Sequence, residues 1–178
     1  MLRAQVAVSS HLELHALTSV ALVYLATVRA ARGDFDAALA ALDEAEAPAS
    51  TDTAQHAVNR AMRARILLDR GDLASASREA DVVAEQLVPR GPMRMYQLAV
   101  IAAVRLASGR VEESLASASE AVSMLASYAG EDEALVRLVY ADALDAAGQV
   151  GAAREAFTLA RQRLLERAAA ISDPDVRE

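Results

Sequence analysis

Ala26-Thr27-Val28-Arg29-Ala30-Ala31-Arg32-Gly33-Asp34-Phe35-Asp36-Ala37-Ala38 decides how this chain folds, because its pattern returns three more times. The central glycine recurs as Gly71, Gly109 and Gly148, at spacings of 38, 38 and 39 residues. Seven residues before each glycine stands a small one: Ala26, Ala64, Ala102 and Ala141. Two after it stands an apolar one: Phe35, Leu73, Val111 and Val150. Five after come Ala38, Ala76, Ser114 and Ala153, and twelve after come Ala45, Val83, Ala121 and Ala160. A fixed period of this length is the mark of a repeat architecture.

The columns define the unit. A helix-period stretch such as Val20–Val28 precedes the glycine, and a second such as Phe35–Leu42 follows it. A glycine at the junction stops the first helix in a left-handed conformation and turns the chain. Asp34 and Asp72 follow directly, where a carboxylate caps the next helix. Small residues on both sides of the turn let the two backbones approach. Each unit is therefore an antiparallel helical hairpin.

Working outward, the spacing and punctuation predict helices over 9–32, 34–47, 52–70, 72–88, 92–108, 110–127, 131–147 and 149–170. Ser10-His11-Leu12-Glu13 and Asp52-Thr53-Ala54-Gln55 read as capping boxes opening the first and third helices. Pro48 closes the first hairpin, Pro92 opens the fifth helix, and Ala129-Gly130-Glu131-Asp132 separates the last two hairpins. Residues 1–8 read as an N-terminal tail or the end of a preceding helix. Residues 9–170 form the repeat domain, in hairpins of about 9–48, 52–88, 92–127 and 131–170. Asp173-Pro174 reads as the cap and first position of a helix with only a few residues left to build it, so 171–178 is expected to be the start of a truncated helix and the chain a piece of a longer protein.

Composition removes whole function classes. The 178 residues carry 43 alanines, 18 basic side chains that are all arginine, 25 acidic ones and no cysteine, for a net charge of -7. Without cysteine there is no disulfide framework or thiol nucleophile. Without lysine there is neither a Schiff-base amine nor an ordinary phosphate-binding P-loop. An acidic surface repels a phosphate backbone, so no nucleic-acid partner is expected. The apolar run Val20–Val28 meets Arg29 and is far shorter than the ~20 residues a membrane span needs. No leader-like apolar segment follows Met1-Leu2-Arg3, so a cytoplasmic location is expected. The alanine-rich, arginine-only usage suggests a GC-rich bacterial genome.

The glycine-centred columns resemble the tetratricopeptide repeat over residues 9–170. The resemblance implies an all-α, right-handed superhelix of about four antiparallel helix-turn-helix repeats with a period of 38–39. The usual repeat has about 34 residues, so these helices are longer. The large aromatic early in the usual motif is replaced by Leu22, Arg60, Leu98 and Arg137, and only Pro48 matches its closing proline. By the same resemblance, the first helices line a concave groove that takes a peptide or helix of a partner protein. The groove positions are Val23, Thr27 and Ala30; Ala61, Arg65, Leu68 and Asp69; Tyr96, Ala99, Ala103 and Leu106; and Leu138, Asp142 and Asp145. The lysine and asparagine that grip a terminal carboxylate in the family are absent, so an apolar helix or extended segment is the expected ligand. The end segment Arg161–Glu178 resembles the close of helical-repeat regions in large bacterial signalling proteins that carry a kinase or ATPase module. That implies a regulatory part of such a protein.

Other candidates are weaker in chemistry. His11 and His15 share a helix face four residues apart, but they lack the His-Glu-x-x-His order and a third ligand. Asp43-Glu44-Glu46 and Glu131-Asp132-Glu133 lie at helix ends with no partnered base. Arg161, Arg163 and Arg167 suit the C-terminus of the last helix, as a solvated face. No cofactor, metal or catalytic residue is expected, and the chain reads as a non-catalytic interaction scaffold. The alternatives are a self-association module that dimerises through terminal faces (Leu2, Val6, Val8 and the end segment), and a small-molecule or metal-binding helical domain.

Overall fold

The computed structural model describes residues 2–46, 53–128, 130 and 132–170, with side chains for the same residues except 2–16 and 53–55. Among the described residues the chain is all-α: α1 (Leu2–Ala31), α2 (Phe35–Ala45), α3 (Thr53–Asp69), α4 (Leu73–Glu85), α5 (Pro92–Ala107), α6 (Val111–Tyr128), α7 (Glu133–Ala146) and α8 (Val150–Ala169). No described helix is long and apolar enough to cross a membrane.

The glycine turns are built as the columns require. Gly33, Gly71, Gly109 and Gly148 all have φ between 73° and 88°, a region costly for any residue with a Cβ. At each, the glycine N–H bonds back to the carbonyl three residues earlier, and the next N–H reaches the one five earlier. Gly109 N to Leu106 O is 2.9 Å and Arg110 N to Arg105 O is 2.8 Å. This paired closure satisfies carbonyls that a helix end leaves open. Asp34 then caps α2 by accepting from the Ala37 N–H at 3.4 Å, and Asp72 caps α4 through the Ser75 N–H at 3.1 Å.

Two compact units divide the chain at Gln86 and Leu87. In the first, α1 pairs with α2 and α3 with α4, while α3 also packs on α2 and touches α1. Ala26, facing Ala38, is fully buried, and Leu42 and Ile66 join them with Val23, Phe35, Leu39 and Met62 around the cluster. Burying a side chain the size of Leu42 or Ile66 contributes about 2 kcal/mol.

The second unit repeats the plan. α5 pairs with α6 and α7 with α8, and α7 packs on both α6 and α5. Met95, Leu98, Ala99, Ala121, Leu125 and Val136 form one cluster, and Ala102, Ala118, Val139 and Ala143 a second. Where the repeat puts serine in place of alanine, the Ser114 hydroxyl donates to the Ala102 carbonyl at 2.8 Å, so the close contact seven before and five after the glycine stays satisfied.

The first helix departs from the sequence expectation. α1 begins at Leu2, so residues 2–8 belong to it rather than to a tail, and Ser10 stands inside the helix rather than at its cap. Neither glycine nor proline occurs between Leu2 and Ala31, so nothing in the sequence interrupts the helix. Pro48, Asp52, Ala129, Glu131 and the 171–178 segment, on which other boundary expectations rest, lie outside the described residues.

Candidate interaction faces

In the first unit the expected groove positions come from α1 and α3, which lie in contact. Thr27 is exposed, with its hydroxyl donating to the Val23 carbonyl at 3.0 Å and lying 3.9 Å from Met62 Sδ on α3. Val23 itself is half-buried and packs into the hairpin core, so little of it faces outward. Arg65 does not stand free. Its Nε donates to both carboxylate oxygens of Asp69 at 2.9 and 3.0 Å, one turn along the same helix. Two expected recognition residues thus neutralise each other, and a partner's charge would have to displace an existing bond.

In the second unit the corresponding face comes from α5 and α7. Ala103 is half-buried beside Ala102 and Val139, and Asp145 is exposed. Asp142 is half-buried; burial first, and then the charge of Asp145 one turn on, push its carboxyl above the ordinary aspartate range. Among the described residues no cation offsets that shift. Two carboxylates near the C-terminal end of α7 also oppose its dipole. Tyr96, expected in the groove, is instead buried. The reason is that α5 is buried on every side from Met95 to Ala102, so its position in the repeat no longer opens to solvent.

The arginines of α8 are not simply a solvated face. Glu133 at the start of α7 is buried, and one of its oxygens, Oε1, accepts from Arg137 Nε at 2.8 Å and from Arg163 Nε at 3.1 Å. The Arg137 bond, opposed by burial and aided by Arg163, holds the Glu133 carboxyl below its usual range. Arg167 donates to the Gly130 carbonyl at 2.7 Å. The second half of α8 is thus fastened to the start of α7 by polar bonds, while Arg161 remains exposed. From sequence, Glu133 reads as part of an acidic helix end; its pairing with a residue thirty positions on leaves no local signal.

The His11 and His15 side chains lie outside the described ones, and among the described residues no three His, Asp or Glu side chains gather as metal ligands. Two apolar stripes stand open where the pattern places core residues such as Phe157: Leu17, Val20, Tyr24 and Val28 on α1, and Val150, Phe157 and Leu164 on α8, all substantially exposed. Their signal is present for most of them, because Val20, Tyr24, Val28, Phe157 and Leu164 occupy columns that hold buried residues in other hairpins. Comparison with models of known families, with curated proteins and with solved structures finds no match.

Proposed function

We propose that this chain is a non-catalytic protein-interaction scaffold that binds a peptide or helix of a partner protein on the first helices of its hairpins, at the positions that remain open, such as Thr27 and Asp145. The reading takes the hairpins as repeats of the tetratricopeptide kind, arranged as a right-handed superhelix and working in the cytoplasm as a regulatory part of a bacterial signalling protein. One observation carries it. In each unit, the first helices of successive hairpins lie side by side, so columns of unlike side chains (Thr27 with the Arg65–Asp69 pair, Ala103 with Asp142) share a face on a rigid scaffold. A face already folded loses little freedom on binding, so contact energy goes to affinity. The neighbouring carboxylates of Asp142 and Asp145 favour a ligand that presents a cation among apolar residues.

The test is selection of a displayed peptide library on the intact chain. Selected peptides should bind at least about tenfold more weakly to Thr27→Arg or Asp145→Arg, both exposed positions. They should bind unchanged to Ser119→Arg, exposed on α6. Peptides that ignore the first two changes, or respond only to the third, would place recognition elsewhere.

A further inference from the structure

The two exposed apolar stripes are the separated halves of one contact that the fold makes repeatedly. Position by position from the glycine, α3 and α7 use the same residues to pack on the second helix of the hairpin before them. Nine and five residues before the glycine these are Met62 and Ile66 in α3, which join Ala38, Ala41 and Leu42 of α2. In α7 they are Val139 and Ala143, which join Leu115 and Ala118 of α6. The same two positions in α1 are Tyr24 and Val28, which are 62% and 53% exposed.

The receiving side follows the same register. Nine residues after the glycine stand Leu42 and Ala118, at 0% and 1% exposure, and sixteen after stands Leu125 at 6%. The equivalent residues of α8 are Phe157 and Leu164, at 37% and 56%. So α1 carries the inserting face and α8 the receiving face, both apolar and both uncovered among the described residues. Large exposed apolar patches mark binding surfaces.

We infer that a second copy of this chain covers them, with α1 of one molecule seated on α8 of the next in the way α7 sits on α6. Continuity with the interface already inside each unit carries this choice of occupant. Charge supports it over pairing of like faces through α8. In α8 the rows occupied by Leu115 and Val122 in α6 hold Arg154 and Arg161, which two apposed α8 helices would bring together. The α1 stripe from Leu17 to Val28 contains no charged residue, so it meets those arginines without repulsion. The contact is head-to-tail, and such an interface builds open chains or, if the rotation closes, rings.

The experiment uses all 178 residues of the sequence. Sedimentation velocity across a wide concentration range should show the unaltered protein growing past the dimer. Tyr24→Glu and Phe157→Glu should each be monomeric, with association weakened at least about tenfold and helicity unchanged, because both side chains are exposed. Mixed in equal amounts, the two variants should form a dimer and stop, since each still offers the face that the other has lost. A monomer at every concentration would overturn the proposal and assign both faces to other segments or partners. Dimers of Phe157→Glu alone would overturn it in favour of paired α1 helices.

Discussion

A single oxygen shows how this chain spends its charge. Glu133 Oε1 takes bonds from Arg137 and Arg163, and the carboxyl is held below its ordinary value. A depressed carboxyl stabilises the fold above its unfolded value and loses that contribution as pH falls through its folded value. Glu133→Gln should therefore lower stability by about 1–2 kcal/mol at pH 7, with the difference from the parent closing in acid below about pH 4; chemical denaturation at several pH values measures it. Asp142 has the opposite sign. Its carboxyl is raised, so the folded chain keeps the proton to higher pH than the unfolded one, and stability declines as pH climbs from the ordinary aspartate value through the raised one. Asp142→Asn should melt higher than the parent at pH 7, and the gain should vanish where both states are protonated, below about pH 3. Neither shift is legible in the sequence, although Asp142 stands there as an expected groove position. Glu133 looks like any acidic helix start, and the perturbation of Asp142 depends on a burial that no local pattern encodes.

At the scale of the helix, the sequence is far more open. The eight described helices begin and end within about three residues of the expected positions except at α1, because turns are local chemistry: a glycine at positive φ, an aspartate cap, a proline at the first position. The same locality makes Gly109 a clean test. Its φ of 75° leaves room for a methyl but not for the backbone of an L-residue, so Gly109→Ala should destabilise by about 1–2 kcal/mol without altering helix content. Thermal melts followed by circular dichroism would check it. The exact groove wall is less legible. Offsets from the repeated glycine predict which helix face a residue shares, but not whether that face is already filled, as for Tyr96 and Val23, or already paired, as for Arg65 with Asp69.

For the whole molecule, stability should be graded rather than uniform, because burial differs sharply from helix to helix. α5 is buried on all sides from Met95 to Ala102, whereas α8 beyond Ala160 is exposed except at Ala168 and is held by Arg163 and Arg167. Hydrogen exchange should therefore be slowest in α5 and fastest in the second half of α8, and Arg167→Ala should speed the latter alone. Equal protection of the two would mean that the polar fastening is stronger than its geometry suggests. The glycine turn carries a last consequence, for heredity. Because each turn is closed by main-chain bonds and each close contact is set by its distance from a glycine, an added residue inside a hairpin breaks the register, whereas the loop between hairpins absorbs one, as the 39-residue spacing from Gly109 to Gly148 shows. Related genes that differ in length should differ by whole hairpins or in the loops between them, and single-residue insertions within the helices should be rare.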